Sequence, residues 1–68
     1  MSKVCYNNLF HLLIDKKMKK TDLARLANLT PATLAKLSKD ETVSMESLIK
    51  ICDCLNCQIG DIVELIRE

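Results

Sequence analysis

The chain has 68 residues, which suits one small domain and is too short for two independent hydrophobic cores. It is 49% hydrophobic but has one Tyr, one Phe, one Gly and no Trp, so packed aliphatic helices are favoured over hairpins. These features predict a single all-α domain over residues 1–68. No apolar run approaches the roughly 18 residues of a membrane span, and no signal-type segment precedes Asn8, so a cytoplasmic protein is expected.

Charge is distributed unevenly along the chain, although the formal net charge is only +1. Between Asp15 and Lys39, seven basic and two acidic residues give +5. Between Asp40 and Glu68, seven acidic and two basic residues give −5. The basic middle segment predicts an anionic partner.

The first two predicted helices follow from apolar residues at helical spacing. Helix one is predicted from Val4 to Lys16, with Leu9, Phe10 and Leu13 on one stripe. Helix two is predicted from Lys20 to Ala27. Asn28 is expected to end it, because Asn tolerates the left-handed conformation that closes many helices.

Helix three has the clearest start signal. Thr30 is expected to be its N-cap and Pro31 its first residue, where the missing N–H of proline costs nothing. Leu34 and Leu37 are predicted to face inward. The helix is predicted to cover about residues 31–38.

Helices four and five complete the prediction. Ser44 is expected to cap helix four and Asn56 to end it. A fifth helix is predicted from Ile59 to Ile66. Its apolar residues exceed what one terminal helix needs for packing, so a homodimer interface is predicted there. The interface residues would be Ile62, Val63, Leu65 and Ile66.

The segment from Lys20 to Lys39 resembles the helix-turn-helix of Cro-type and phage-repressor regulators, the xenobiotic-response-element family. Ala24 matches the small residue at the helix crossing, and Asn28 matches the turn position. The buried positions of the motif are matched by Leu29, Leu34 and Leu37. Residues 43–57 resemble the family's fourth helix and following turn, so the resemblance implies a five-helix, lambda-repressor-like fold with the motif at helices two and three.

The resemblance also implies the roles of individual residues. In this family the second helix of the motif enters the major groove and the preceding helix touches phosphates. The base-reading positions are then Pro31, Ala32 and Lys36. Thr30 and Thr33 are at phosphate or base-edge positions, Lys19 and Lys20 are beside the DNA backbone, and Lys39 is a further phosphate contact. Thr30 would combine this role with helix capping.

Two of these positions depart from the family pattern. Pro31 and Ala32 stand where polar side chains such as Gln are common, and neither can form a bidentate hydrogen bond with a base. Methyl contact with thymine and recognition of guanine by Lys36 would remain, together with readout of DNA shape.

The sequence thus predicts a regulator that binds specific double-stranded DNA, most simply a repressor acting as a homodimer on a pseudo-palindrome. An alternative is a protein-interaction module, antitoxin-like or anti-repressor, that kept the fold and lost specific DNA reading. The chain shows no phosphate-binding glycine loop and no catalytic pairing of residues, so no enzyme, cofactor or small-molecule ligand is predicted.

The cysteines leave a third alternative, a thiol or metal sensor built on Cys52, Cys54 and Cys57. Their spacing does not match the paired spacing of zinc sites, and Cys52 and Cys57 are predicted to be buried thiols. Cys54 is the one expected at the surface. His11 lacks a partner at catalytic or metal-ligand spacing and is predicted to be a surface residue.

Overall fold

The computed structural model describes residues 2–67 and shows four α-helices closed by a small sheet. In chain order the elements are β1 (Ser2–Cys5), α1 (Asn7–Asp15), α2 (Lys20–Leu26), α3 (Pro31–Ser38), α4 (Met45–Leu55), a 3₁₀ turn (Ile59–Asp61) and β2 (Glu64–Arg67). None of the helices among these residues has the length and apolar character needed to cross a membrane.

The prediction of five helices is wrong, because the chain after α4 forms the 3₁₀ turn and β2 instead of a fifth helix. The prediction that helix one starts at Val4 is also wrong, since Val4 lies in β1. The two strands pair antiparallel, with Val4 opposite Leu65 and Cys5 opposite Glu64. This pairing joins segments that are distant in sequence, and local periodicity does not predict such hydrogen bonds.

The predicted helix starts are confirmed for α3 and α4. Thr30 Oγ1 accepts a hydrogen bond from the Thr33 backbone N–H at 3.2 Å. Ser44 Oγ accepts one from the Ser47 backbone N–H, also at 3.2 Å. Each bond satisfies a backbone donor that the first turn of a helix leaves without an intrahelical partner.

Each of the four α-helices is followed, within two residues of its end, by a residue in the left-handed conformation. These residues are Lys17, Asn28, Asp40 and Asn56, with φ between 54° and 57°. After each of them, the next backbone N–H reaches back to a carbonyl of the last turn, as from Leu29 to Ala24 at 2.8 Å. Asn28 and Asn56 confirm the predicted ends. This geometry reverses the chain without glycine and keeps the connections short.

The core lies between the helices and the sheet. Six of its side chains have less than 2% of their surface exposed: Tyr6, Leu9, Leu23, Leu37, Ile51 and Ile62. Leu37 is buried as predicted, whereas Leu34 is half-buried. The aliphatic core expected from composition is therefore present, with one aromatic ring at its centre.

Tyr6 connects the start of α1 to the loop that follows α3. Its backbone N–H donates to Asp40 Oδ1 at 3.2 Å, and its hydroxyl donates to the Glu41 carbonyl at 2.8 Å. Burial raises the pKa of Tyr6 above its ordinary value of 10.0, the negative charge of Asp40 raises it further, and a hydrogen bond with the Val43 backbone opposes both. Tyr6 thus links two distant segments, and its side chain remains a neutral phenol.

Replacing Lys17 with Gly is expected to stabilise the protein. Lys17 has a φ of 57°, a conformation that costs an L-residue about 1–2 kcal/mol and glycine almost nothing. The larger backbone entropy of glycine in the unfolded chain offsets part of this relief of strain. The expected net gain in the free energy of unfolding is about 1 kcal/mol, or roughly 4–8 °C in Tm. Lys17→Ala loses the same charge but keeps the strain, so thermal unfolding should show no such gain. Equal Tm values for the two variants would contradict this explanation.

Replacing Tyr6 with Phe is expected to lower the free energy of unfolding by about 0.5–1.5 kcal/mol, because the Glu41 carbonyl loses its donor. The folded-state pKa of Tyr6 is raised, so its contribution is complete below pH 10.0 and is lost as pH rises through the folded-state value. Urea unfolding followed by circular dichroism should show the gap between wild type and Tyr6→Phe closing at alkaline pH. A gap that stays constant would rule out this linkage.

Candidate nucleic-acid interface

The start of α3 is a rigid turn built by two threonines. Thr30 Oγ1 accepts the Thr33 backbone N–H, and the Thr30 hydroxyl donates to Thr33 Oγ1 at 3.0 Å. Thr33 is half-buried, and its hydroxyl oxygen accepts from the Thr30 hydroxyl. Pro31 follows the cap as the first helical residue, where its ring restricts the backbone further.

The outward face of α3 carries the residues predicted to read bases. Pro31, Ala32 and Lys36 are exposed, while Leu37 on the opposite side is 0% exposed. Ala32 and Lys36 are four residues apart and so share one face of the helix. Lys39 is also exposed and is the C-cap of α3. The exposed face has small apolar groups at its start and positive charge at its end.

The start of α2 carries the two lysines predicted to lie beside phosphates. The Lys19 backbone N–H donates to Asp22 Oδ2 at 3.0 Å, so a carboxylate of the first turn closes the helix start. The Lys20 Nζ lies 4.4 Å from the centroid of the Phe10 ring. That distance is within cation–π range, and the ring therefore holds the ammonium group near one position.

Sequence reasoning missed the supporting roles of Phe10 and Arg25. Arg25 Nη2 lies 3.3 Å from Asp22 Oδ1, which places a positive charge next to the only acid in the first turn of α2. The spacing of three residues between Asp22 and Arg25 was a usable signal for this pair. No local pattern reveals the contact between Phe10 and Lys20, because the two residues belong to different helices.

Two surface depressions lie outside α3. The first, of about 270 Å³, includes His11, Asp15 and Cys57 in its lining, and His11 is exposed as predicted. The second, of about 230 Å³, is lined by Phe10, Met18 and their neighbours in α1 and α2. Both fall below the roughly 300–1,000 Å³ of typical ligand pockets.

The three C-terminal cysteines pack against the core. Cys52 is buried as predicted, whereas Cys54 and Cys57 are both half-buried. Burial, together with the charge of the neighbouring Cys57 and a hydrogen bond with it, raises the pKa of Cys52 to about 11. Such a thiol is protonated and a poor nucleophile at neutral pH. Among residues 2–67 no three His, Cys, Asp or Glu side chains are grouped to hold a metal ion.

The predicted dimer-interface residues differ in how much of their surface is exposed. Ile62 is 0% exposed and belongs to the core, and Val63 is half-buried. Leu65 and Ile66 are 56% and 43% exposed and lie on β2. Of these four residues, only Leu65 and Ile66 therefore offer substantial apolar surface.

Comparisons with known proteins agree with this architecture. The crystal structure of the transcriptional regulator VanUg, Form II, superimposes with a TM-score of 0.95. It shares 46% sequence identity, and the match covers 98% of this chain and 89% of that one. No curated protein matched the chain in sequence. The family model of the Cro/C1-type HTH DNA-binding domain matches residues 8–68. The chain therefore belongs to the family of Cro/C1-type helix-turn-helix DNA-binding domains.

Proposed function

We propose that the chain is a cytoplasmic transcriptional regulator that binds specific sequences of double-stranded DNA with α3 in the major groove. The observation that carries this proposal is the exposed face of Pro31, Ala32 and Lys36 on a helix whose opposite side is fully buried at Leu37. A major groove about 12 Å wide admits one such helix. Membership of the DNA-binding family and the likeness to a transcriptional regulator support the same function.

Base reading would rest mainly on Lys36. Its ammonium group is suited to the O6 and N7 acceptors of guanine, whereas Pro31 and Ala32 offer apolar contact with the methyl group of thymine. With so few hydrogen-bonding groups in the groove, DNA shape would contribute to sequence preference as well.

Phosphate contacts would hold the helix in place. Lys19 and Lys20 at the start of α2, and Lys39 at the end of α3, are exposed cations. The Thr30 and Thr33 pair adds hydroxyl groups at the start of α3. The net charge of −5 after Lys39 would keep the C-terminal half away from the duplex.

Two copies of the domain would bind one operator. A single domain of this kind reads about one half-site, so we propose a homodimer on a pseudo-palindrome and repression through occupation of promoter DNA. The limited hydrogen-bonding capacity of Pro31 and Ala32 favours a second candidate, a protein-interaction module that kept this fold. Selection of bound DNA distinguishes the two candidates.

Selection of bound duplexes from a random pool should enrich a palindromic sequence. Lys36→Ala should then bind the winning sequence about tenfold to a hundredfold more weakly and lose preference at one base pair of each half-site. Lys50→Ala is the matched control, since Lys50 lies on α4, 3.9 Å from Glu46. Fluorescence anisotropy on the winner and on single-base variants measures both effects. No enrichment, with only weak salt-sensitive binding, would favour the protein-interaction module.

Replacing Lys20 with Gln should weaken binding to all duplexes alike. Loss of one phosphate contact is expected to reduce the slope of log affinity against log salt by about 0.9 per half-site. Lys50→Gln, which removes the same charge on α4, should leave the slope unchanged. Anisotropy over a series of salt concentrations provides the slopes, and a slope that falls equally in both variants would remove Lys20 from the interface.

A further inference from the structure

The outer edge of β2 is an open strand edge that carries exposed apolar side chains, since Leu65 and Ile66 are 56% and 43% exposed. Within residues 2–67 the sheet has two strands, so β2 has one edge without a neighbouring strand. All four residues of β2 are exposed, whereas β1 is half-buried at Val4 and buried at Cys5. An open strand edge presents a row of backbone donors and acceptors that readily pairs with another strand.

We propose that β2 pairs antiparallel with β2 of a second copy of this chain, forming a four-stranded sheet in the order β1, β2, β2, β1. The inference rests on the proposed homodimer and assigns its interface. An isologous dimer uses the same surface on both subunits, and an antiparallel strand pair satisfies that condition.

Symmetry restricts the register of this pairing. Two antiparallel strands of one sheet are related by a two-fold axis perpendicular to the sheet, which leaves each side chain on its own face. Residues directly opposite each other also share a face. The axis must therefore lie midway between the two copies of one residue, so that this residue pairs with itself and not with its sequence neighbour. The central candidates on β2 are Leu65 and Ile66.

The neighbouring residues favour Leu65. Because Val4 lies opposite Leu65 within the subunit, an axis at Leu65 creates a continuous apolar row, Val4 and Leu65 followed by Leu65 and Val4 of the partner subunit. An axis at Ile66 would instead place Leu65 opposite Arg67 of the partner subunit and flank the central pair with Lys3. Apolar cross-strand pairs stabilise a sheet, so the structure assigns the axis to Leu65.

Charge supports the antiparallel direction. The strand β2 begins with Glu64 and ends with Arg67, and Glu68 follows it in the sequence. Antiparallel pairing brings Arg67 of each strand toward Glu64 of the other, whereas parallel pairing would place the same charges side by side.

Disulfide trapping tests the interface and its register together. Mild oxidation of Leu65→Cys should give a covalent dimer well above the wild-type background, because residue 65 meets itself across the axis within disulfide reach. Ile66→Cys is the matched control and should stay at background, since Ile66 would face Glu64 of the partner subunit. Trapping by Ile66→Cys instead would overturn the register, and trapping by neither would overturn the interface.

Sedimentation velocity supplies a measurement independent of cysteine chemistry. Leu65→Asp should raise the dimer dissociation constant on the order of a hundredfold, because two carboxylates would face each other without a countercharge. Met45→Asp is the control, with 58% exposure against 56% for Leu65, and should leave the constant unchanged. Circular dichroism of both variants checks that each remains folded.

The test of this dimer interface and the test of DNA binding can give independent results. Wild-type protein that selects a DNA sequence but stays monomeric at micromolar concentration, with and without that DNA, would overturn the interface and leave the regulator function intact. Protein that dimerises through Leu65 but selects no sequence would support the interface and contradict the proposed function.

Discussion

The left-handed residue Asn28 determines how α3 leaves α2, and the proposed reading face depends on that direction. With φ at 55°, Asn28 allows the Leu29 backbone N–H to donate to the Ala24 carbonyl at 2.8 Å. Leu29 is thereby drawn toward the core, and Thr30 begins the next helix directly. Because only four residues separate the end of α2 at Leu26 from Pro31, a small change in this turn would reorient the whole of α3.

The other end of α3 is restrained from outside the motif. Asp40 and Glu41 follow the helix and accept hydrogen bonds from Tyr6, which belongs to the segment between β1 and α1. The strand pairing of β1 with β2 in turn holds this N-terminal segment against the C-terminus. Both ends of α3 are therefore restrained, one by a local turn and one by contacts between distant segments. A helix restrained at both ends would lose little conformational entropy on entering a groove.

The features that could be predicted from sequence are those whose interactions are local. The caps at Thr30 and Ser44 and the helix ends at Asn28 and Asn56 each involve residues within a few positions of one another, and side-chain chemistry identifies them. The strand pairing and the contacts of Tyr6 join residues more than 30 positions apart. No periodicity encodes such contacts. The fifth helix was predicted in error because the apolar residues from Ile59 onward fit helical spacing when their pairing partner is ignored.

The same division applies to the candidate site. The exposed face of α3 and the positions of Lys19 and Lys20 followed from the motif, whereas the position of the Lys20 ammonium group over Phe10 depends on how α1 packs against α2. Lys17 gave no sign of its left-handed conformation, since lysine has no preference for it. Side chains that position a functional residue are thus harder to predict than the residue itself, because their identity depends on tertiary packing.

The proposed reading face and the proposed strand pairing are connected, because a single half-site would offer little sequence discrimination. Each good contact with a base discriminates by about 1–3 kcal/mol, and α3 has one long polar side chain, Lys36, among its proposed base-reading positions. One half-site therefore provides little discrimination. When two copies are held together, binding of one half-site makes binding of the second half-site intramolecular. The discrimination provided by the two half-sites then adds only when their spacing fits the dimer. A strand pair with a single register would fix that spacing more firmly than a loose apolar contact, since sliding by one residue would turn every side chain of β2 to the opposite face.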